Sequence, residues 1–257
     1  MPELWENPFA NAHLKVDRAN KHISDIEERL RTSSDRYGPT LYVDGKTGEQ
    51  FLYYGLTDRE LRSDIALIVG DAIHNLHSAL DIVWCGAIEN LSPHALSDYT
   101  KFPIYPKSTR QELESVLAKR KIDPTLIDLA VDRVKGYKGG DDDILALHQL
   151  DIDDKHQLLI PMLTVSGVEG VELEQEDGTI NRFTIMLVRP NFYKTRVPLN
   201  SKIKNHGEVR FEITFREGTP LENLEVIPTL KRLSWKTDKI VRALQRMAQG
   251  RKNSHSS

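Results

Sequence analysis

No proline interrupts residues 57–90, and within them Ile65, Ile68, Val69, Ala72, Leu76, Ala79, Leu80 and Val83 recur at helical spacing. Placed ~100° apart around an axis they gather on one side, so the pattern predicts one long helix with a single apolar stripe. Thr57 with Glu60 three residues on has the capping-box spacing that starts such a helix. A stripe of this length has to be covered by other elements. Residues 7–34 supply one cover, with Leu14, Ala19, Ile23, Ile26 and Leu30 on one face. Another is a last helix carrying Leu230, Leu233, Ile240, Val241, Leu244 and Met247, which Gly250 is expected to end. Shorter helices are predicted over 110–120, 124–135 and 144–159, the second with Pro124 in its first turn. The third opens behind Asp141, Asp142 and Asp143, whose charge suits a helix N-terminus, and stops at Pro161.

The remaining segments alternate. Residues 40–54 place Leu41, Tyr42 and Val43 on one side of Asp44-Gly45-Lys46-Thr47-Gly48 and Phe51, Leu52 and Tyr53 on the other, which predicts a β-hairpin. Segments 162–168, 170–176, 179–189 and 208–216 are separated by turn-forming clusters and predict a small antiparallel sheet. The fold class expected is therefore α+β and predominantly helical. It is a helical bundle with a hairpin after its first helix and a small sheet inserted before its last. One domain spans 1–250, with a helical core over 7–160 and 228–249, a β-rich insertion over 161–217, and a disordered tail over 251–257.

Composition narrows the function classes. Thirty-five basic against 38 acidic side chains leave a net charge of −3, which argues against a nucleic-acid or membrane-surface binder. The single cysteine, Cys85, has no intrachain disulfide partner. With no leader after Met1 and no apolar run near the ~18 residues of a spanning helix, the expected location is the cytoplasm.

The long helix carries a second face that is harder to dismiss. Asp71, His74, Asn75, Ser78 and Asp81 lie opposite the apolar stripe, with His77 at the margin, and no Lys, Arg or Glu occurs from Gly70 through Asp81. Solvated helix faces are normally built from those three residues. The helix over 144–159 has the converse anomaly. His148, Asp151 and Lys155 fall within the arc of its apolar residues Ile144, Leu147, Leu158 and Leu159. Asp151 and Lys155 can pair at i, i+4, yet burying both demands further hydrogen bonds. The polar face of the long helix can supply them, so the two faces are expected to meet, with Asp154 and His156 flanking.

Three chemistries fit these residues. One is a satisfied polar network that fixes helix register and binds nothing. The second is a divalent metal site on His74-x-x-His77-x-x-x-Asp81, completed by Asp151 or Asp154. It is opposed by the ~10 Å rise from His74 to Asp81 and by the Lys155 cation. The third is an anion or acid/base site in which Lys155 and an imidazole hold a phosphate or exchange a proton. The chemical groups are then His74, Asp81, Asp151 and Lys155. Ligand contacts come from Asp71, Asn75, Ser78, His148 and His156, and His77 and Asp154 are the metal donors. The ligand expected is a small anionic or nucleotide-like molecule, and the opposing class is a non-enzymatic interaction module.

The blocks Gly-Asp-x-x-His-Asn-Leu-x-Ser-Ala-Leu-Asp at Gly70–Asp81, Phe102-Pro103-Ile104 and Leu150-Asp151-x-x-Asp154-Lys155-His156 together resemble a family of uncharacterised bacterial proteins. The resemblance spans residues 64–159. It implies a bacterial intracellular protein and carries over no catalytic roles; the family often has a basic residue where this chain has His77 and Gln157. Other motifs fail. Gly45-Lys46-Thr47 lacks the first glycine of a phosphate loop, Thr40 standing in its place. Arg18 and His22 are separated by three residues, short of the Arg-x(4–6)-His motif of helical-bundle ribonucleases. His-Asp, H-E-x-x-H and G-x-S-x-G are all missing, which removes the common phosphohydrolase, zincin and α/β-hydrolase readings.

Overall fold

The computed structural model describes residues 7–33, 38–55, 59–156, 162–186 and 192–254. Among the described residues, six helices and two antiparallel sheets make an α+β fold. The long helix α2, Arg59–Leu91, is its axis. Helix α1, Pro8–Ser33, packs along α2, and the last helix α6, Val226–Ser254, packs against both. Ala12 and Ala19 on α1 and Ala72 and Ala79 on α2 are wholly buried, and such small side chains let helix axes approach closely. Ile65, Ile73, Leu76, Leu80 and Ile88 fill the space between. Helix α5, Asp142–His156, lies against a further side of α2.

Local chemistry accounts for the ends. Asn7 accepts the Phe9 backbone N–H at 3.0 Å, with Pro8 in the first turn of α1. The short helix α3, Arg110–Lys119, opens with a capping box between Thr109 and Glu112. The box expected at Thr57 falls outside the described residues. Helix α4, Pro124–Asp128, is shorter than its pattern predicts. From Leu129 to Val134 the chain turns π-helical, the Lys135 N–H reaching the Ala130 carbonyl at 3.0 Å, and Lys135 leaves at φ 57°. The end of α6 also differs, because the helix passes through Gly250 and continues to Ser254, so the tail expected from Arg251 begins as helix.

The β-structure is divided differently from the pattern. Strands β1 (Thr40–Val43) and β2 (Gln50–Gly55) pair antiparallel around a turn in which Asp44 accepts the Lys46 N–H at 2.8 Å. Strand β5, Phe192–Val197, crosses over to pair with β2 rather than with its sequence neighbours. The second sheet centres on β3, Met162–Glu174, with β4 (Ile180–Met186), β6 (Lys202–Asn205) and β7 (Glu208–Thr214) pairing to it. Two segments predicted separately are thus one strand. Gly170, at φ +70°, carries it through a bulge where β4 shifts register, a conformation that favours glycine. Among the described residues no helix is long and apolar enough to cross a membrane.

Candidate functional site

Helices α2 and α5 bring their anomalous faces together. Asp151 is 2% exposed and is the hub of the contact. One oxygen, Oδ1, accepts from His74 Nδ1 at 2.9 Å, and the other, Oδ2, accepts from the Lys155 ammonium one turn along α5. His77 Nδ1 stands 3.5 Å from Oδ2 and 3.6 Å from Asp81 Oδ2. Burial alone would raise the Asp151 carboxyl; the hydrogen bonds from Lys155 and His74 and the charge around it prevail and hold it below the usual carboxylate range. Asp151 is therefore an anion at neutral pH. An anion accepts at both oxygens, so His74 carries its proton on Nδ1 and its Nε2 lone pair points away.

That lone pair faces the open side. The His74 side chain is 50% exposed and Lys155 51%, so two partners of one buried carboxylate stand at the surface. Ser78 Oγ lies 3.3 Å from His74 Nε2, one turn further along α2. Hydroxyl, imidazole and buried carboxylate form a continuous series, the arrangement by which a carboxylate fixes the tautomer of a proton-accepting histidine. Lys155 adds a fixed positive charge beside it.

Beneath these exposed groups lies an imidazole pair, His77 buried and His148 half-buried. His77 Nε2 and His148 Nδ1 are 3.0 Å apart, with the rings stacked at 5.2 Å between centroids. Two carboxylates beside His77 Nδ1 favour the proton there, so His77 Nε2 accepts and His148 Nδ1 donates. Burial pushes both rings below the ordinary histidine range, more than Asp151 and Asp81 draw them back up; the His77 ring and Lys155 further lower His148, and Lys155 and His74 further lower His77. Asp81 in turn accepts the Phe102 backbone N–H at 2.8 Å. This link is not evident in the sequence, where 91–106 reads as a connector. Its signal is Pro103, which holds Phe102 extended and leaves its N–H free to donate outside any helix. The Phe102 ring meets Trp84 edge-on at 5.7 Å.

The structure thus gathers His74, His77, Ser78, Asp81, His148, Asp151 and Lys155. It does not gather the rest. Asn75 donates to the Asp71 carbonyl at 2.7 Å and accepts from Lys15 on α1 at 3.2 Å, so it faces α1. Asp71, exposed, shares that side, where its charge acts on His22. The Asp154 carboxylate lies against Gly70, where an added Cβ would stand 2.4 Å from its Oδ1. Gly70 and His77 are seven residues apart, a rise of ~10 Å, so Asp154 and His77 do not converge as metal donors. Among the described residues no group of three or more His, Cys, Asp or Glu side chains is disposed to hold a metal ion. The side chain of His156, together with Gln157, Leu158 and Leu159, falls outside the described residues. Cys85 donates weakly to the Thr100 carbonyl and burial raises its thiol, as suits a packed side chain rather than a nucleophile.

Comparison with protein-family models, with curated proteins and with solved structures gives no match to this chain.

Proposed function

We propose that the protein binds a small anionic or nucleotide-like ligand over the exposed patch of His74, Ser78 and Lys155, with His74 exchanging a proton with it. The observation that carries this is the single carboxylate of Asp151, buried between a half-exposed imidazole and a half-exposed ammonium. Surface side chains are seldom fixed so firmly from beneath, and preorganised donors are what an anion site needs. Two donors of complementary kind result: a permanent cation and a ring whose Nε2 can take or return a proton. A divalent ion, if one takes part, would arrive with the ligand's phosphate oxygens rather than in a protein cage. In the same proposal the chain is a bacterial cytoplasmic protein of the family carrying the three sequence blocks, and α1, α2 and α6 form its helical bundle.

Calorimetric titration with inorganic phosphate, pyrophosphate and adenosine monophosphate tests it. At least one should bind with unit stoichiometry, and Lys155→Met and His74→Gln should each weaken it about tenfold, as expected for loss of a charge-assisted hydrogen bond. No saturation with any of the three at millimolar concentration, or binding unchanged in both variants, overturns the proposal.

One observation favours the opposing class, a non-enzymatic module whose network only holds α5 on α2: the innermost link of the network is internal, a buried His77 bonded to a half-buried His148. On that reading the double change Asp151→Leu with Lys155→Met loosens the fold. On the ligand reading it leaves or raises stability while binding is lost.

A further inference from the structure

A second cleft lies away from the histidines, where the π-helical turn and the start of α5 meet α6. Its volume is about 260 Å³. The floor is apolar, built from Leu129, Val134, Ile144, Ile240 and Ala243. Three cations and one carboxylate surround it: Arg133, Lys236, Lys239 and Asp141. Lys236 is already committed, holding Asp141 at 2.7 Å and Asp143 at 2.8 Å. Arg133 and Lys239 meet no carboxylate among the described residues. Lys239 instead sits over the ring of Trp235, 3.5 Å from its centroid. Trp235 is 58% exposed, an unusual place for the largest apolar side chain.

The backbone is unusual at the same place. π-Helical turns are rare and recur at functional sites. Here the turn Leu129–Val134 contributes three of the cleft's residues, Leu129, Arg133 and Val134. Apolar floor, aromatic wall and two cations that meet no carboxylate among the described residues define the complementary ligand: a flat apolar body carrying one negative charge.

We propose that this cleft binds an aromatic carboxylate or a similarly shaped aryl anion, with its ring on the apolar floor beside Trp235 and its charge toward Arg133 and Lys239. The inference is independent of the histidine site, since no residue is shared.

Isothermal titration calorimetry with 2-naphthoate and its uncharged isostere 2-naphthamide tests it. The full chain should bind one naphthoate, at least about tenfold more tightly than naphthamide. Arg133→Gln and Lys239→Gln should each weaken naphthoate several-fold while leaving naphthamide within twofold. Both side chains are exposed, so these variants keep the fold, which thermal unfolding verifies. Ala243→Phe, which fills the floor, should abolish binding of both probes. Equal affinity for the charged and neutral probes, or naphthoate binding that survives Ala243→Phe in a folded variant, overturns the proposal.

Discussion

Helix α5 carries an ionic cluster at each end, and the two are built on different terms. At its N-terminus Asp141 accepts the Ile144 N–H at 3.1 Å as a cap, and Asp141 and Asp143 hold Lys236 and Arg232 of α6. Long flexible cations reach these carboxylates from a surface where water remains. Toward its C-terminus Asp151 is enclosed and meets imidazoles on short side chains, with one lysine reaching in from solvent. The carboxylate chemistry is the same in both. Burial and the kind of partner decide whether a cluster merely decorates an interface or fixes it.

The largest expected effect is at the enclosed end. Asp151→Ala removes the acceptor of His74 and Lys155 and the charge facing His77, and should destabilise by about 2–4 kcal/mol, as loss of a buried, multiply bonded carboxylate does. Urea denaturation measures it. A loss below about 1 kcal/mol would put Asp151 on the footing of an exposed ion pair and dissolve the contrast.

Next comes pH. His77 and His148 have folded pKa values below the unfolded histidine value of 6.5, because burial disfavours their charged forms. The unfolded chain therefore binds protons first as pH falls. Stability is full above pH 6.5 and declines below it until the folded-state values are passed. Asp151, also lowered, adds its loss only as pH falls below the unfolded carboxylate value of 3.8. At the other end Asp143 is lowered and Lys236 raised, burial opposing both shifts and the hydrogen bonds they share prevailing, so neither of the two titrates between pH 5 and 7. Denaturation midpoints should fall from pH 7 to pH 5, and the double variant His77→Gln, His148→Gln should flatten that slope. A residual slope from His22, which burial and Arg18 also lower, should persist. An unchanged slope in the double variant would remove the imidazole pair from the account.

How much of this contrast was legible follows from what periodicity can report. The spacing from Ile65 to Val83 predicts α2, and the presence of Asp151 within an apolar arc predicts its burial. Ser78 and His74 sit one turn apart, and the structure places them in contact. A helical wheel, however, gives angles and not neighbours. His74 and Asn75 differ by only ~100°, yet one meets α5 and the other reaches Lys15 of α1, so a wheel that puts both on one polar face does not say which helix each will meet. The same limit hides β5, whose pairing with β2 joins residues more than a hundred positions apart. The π-helical turn is invisible for another reason: Leu129–Val134 has an ordinary helical pattern, and only the backbone reveals the widened turn.

A subtler expected effect concerns how closely α5 approaches α2. Glycine within a helix is ordinarily less stable than alanine by about 1 kcal/mol, but at Gly70 a methyl group would stand 2.4 Å from Asp154 Oδ1. Gly70→Ala should therefore gain nothing or lose up to about 1 kcal/mol, whereas Gly70→Ala made in an Asp154→Ala background should gain most of the intrinsic helix preference. Additive behaviour in this double-mutant cycle would mean that the carboxylate does not press on Gly70, and the close seating of α5 would lose its support.

The smallest effect belongs to the open end. Asp143→Ala removes contacts with Lys236 and Arg232 that water already weakens, so its loss should be about 0.5–1 kcal/mol. Salt separates the two ends more sharply than size. In 1 M sodium chloride the screening length falls to about 3 Å, and the Asp143 contribution should largely vanish. The Asp151 contribution should persist, because the carboxylate itself is buried beneath its partners and its short-range hydrogen bonds to His74 and Lys155 do not depend on long-range attraction. Measuring both variants with and without salt turns the comparison into a ratio. If the two losses shrink in proportion, Asp151 is solvated after all, and the preorganised carboxylate beneath His74 and Lys155 is no longer available to explain an anion site.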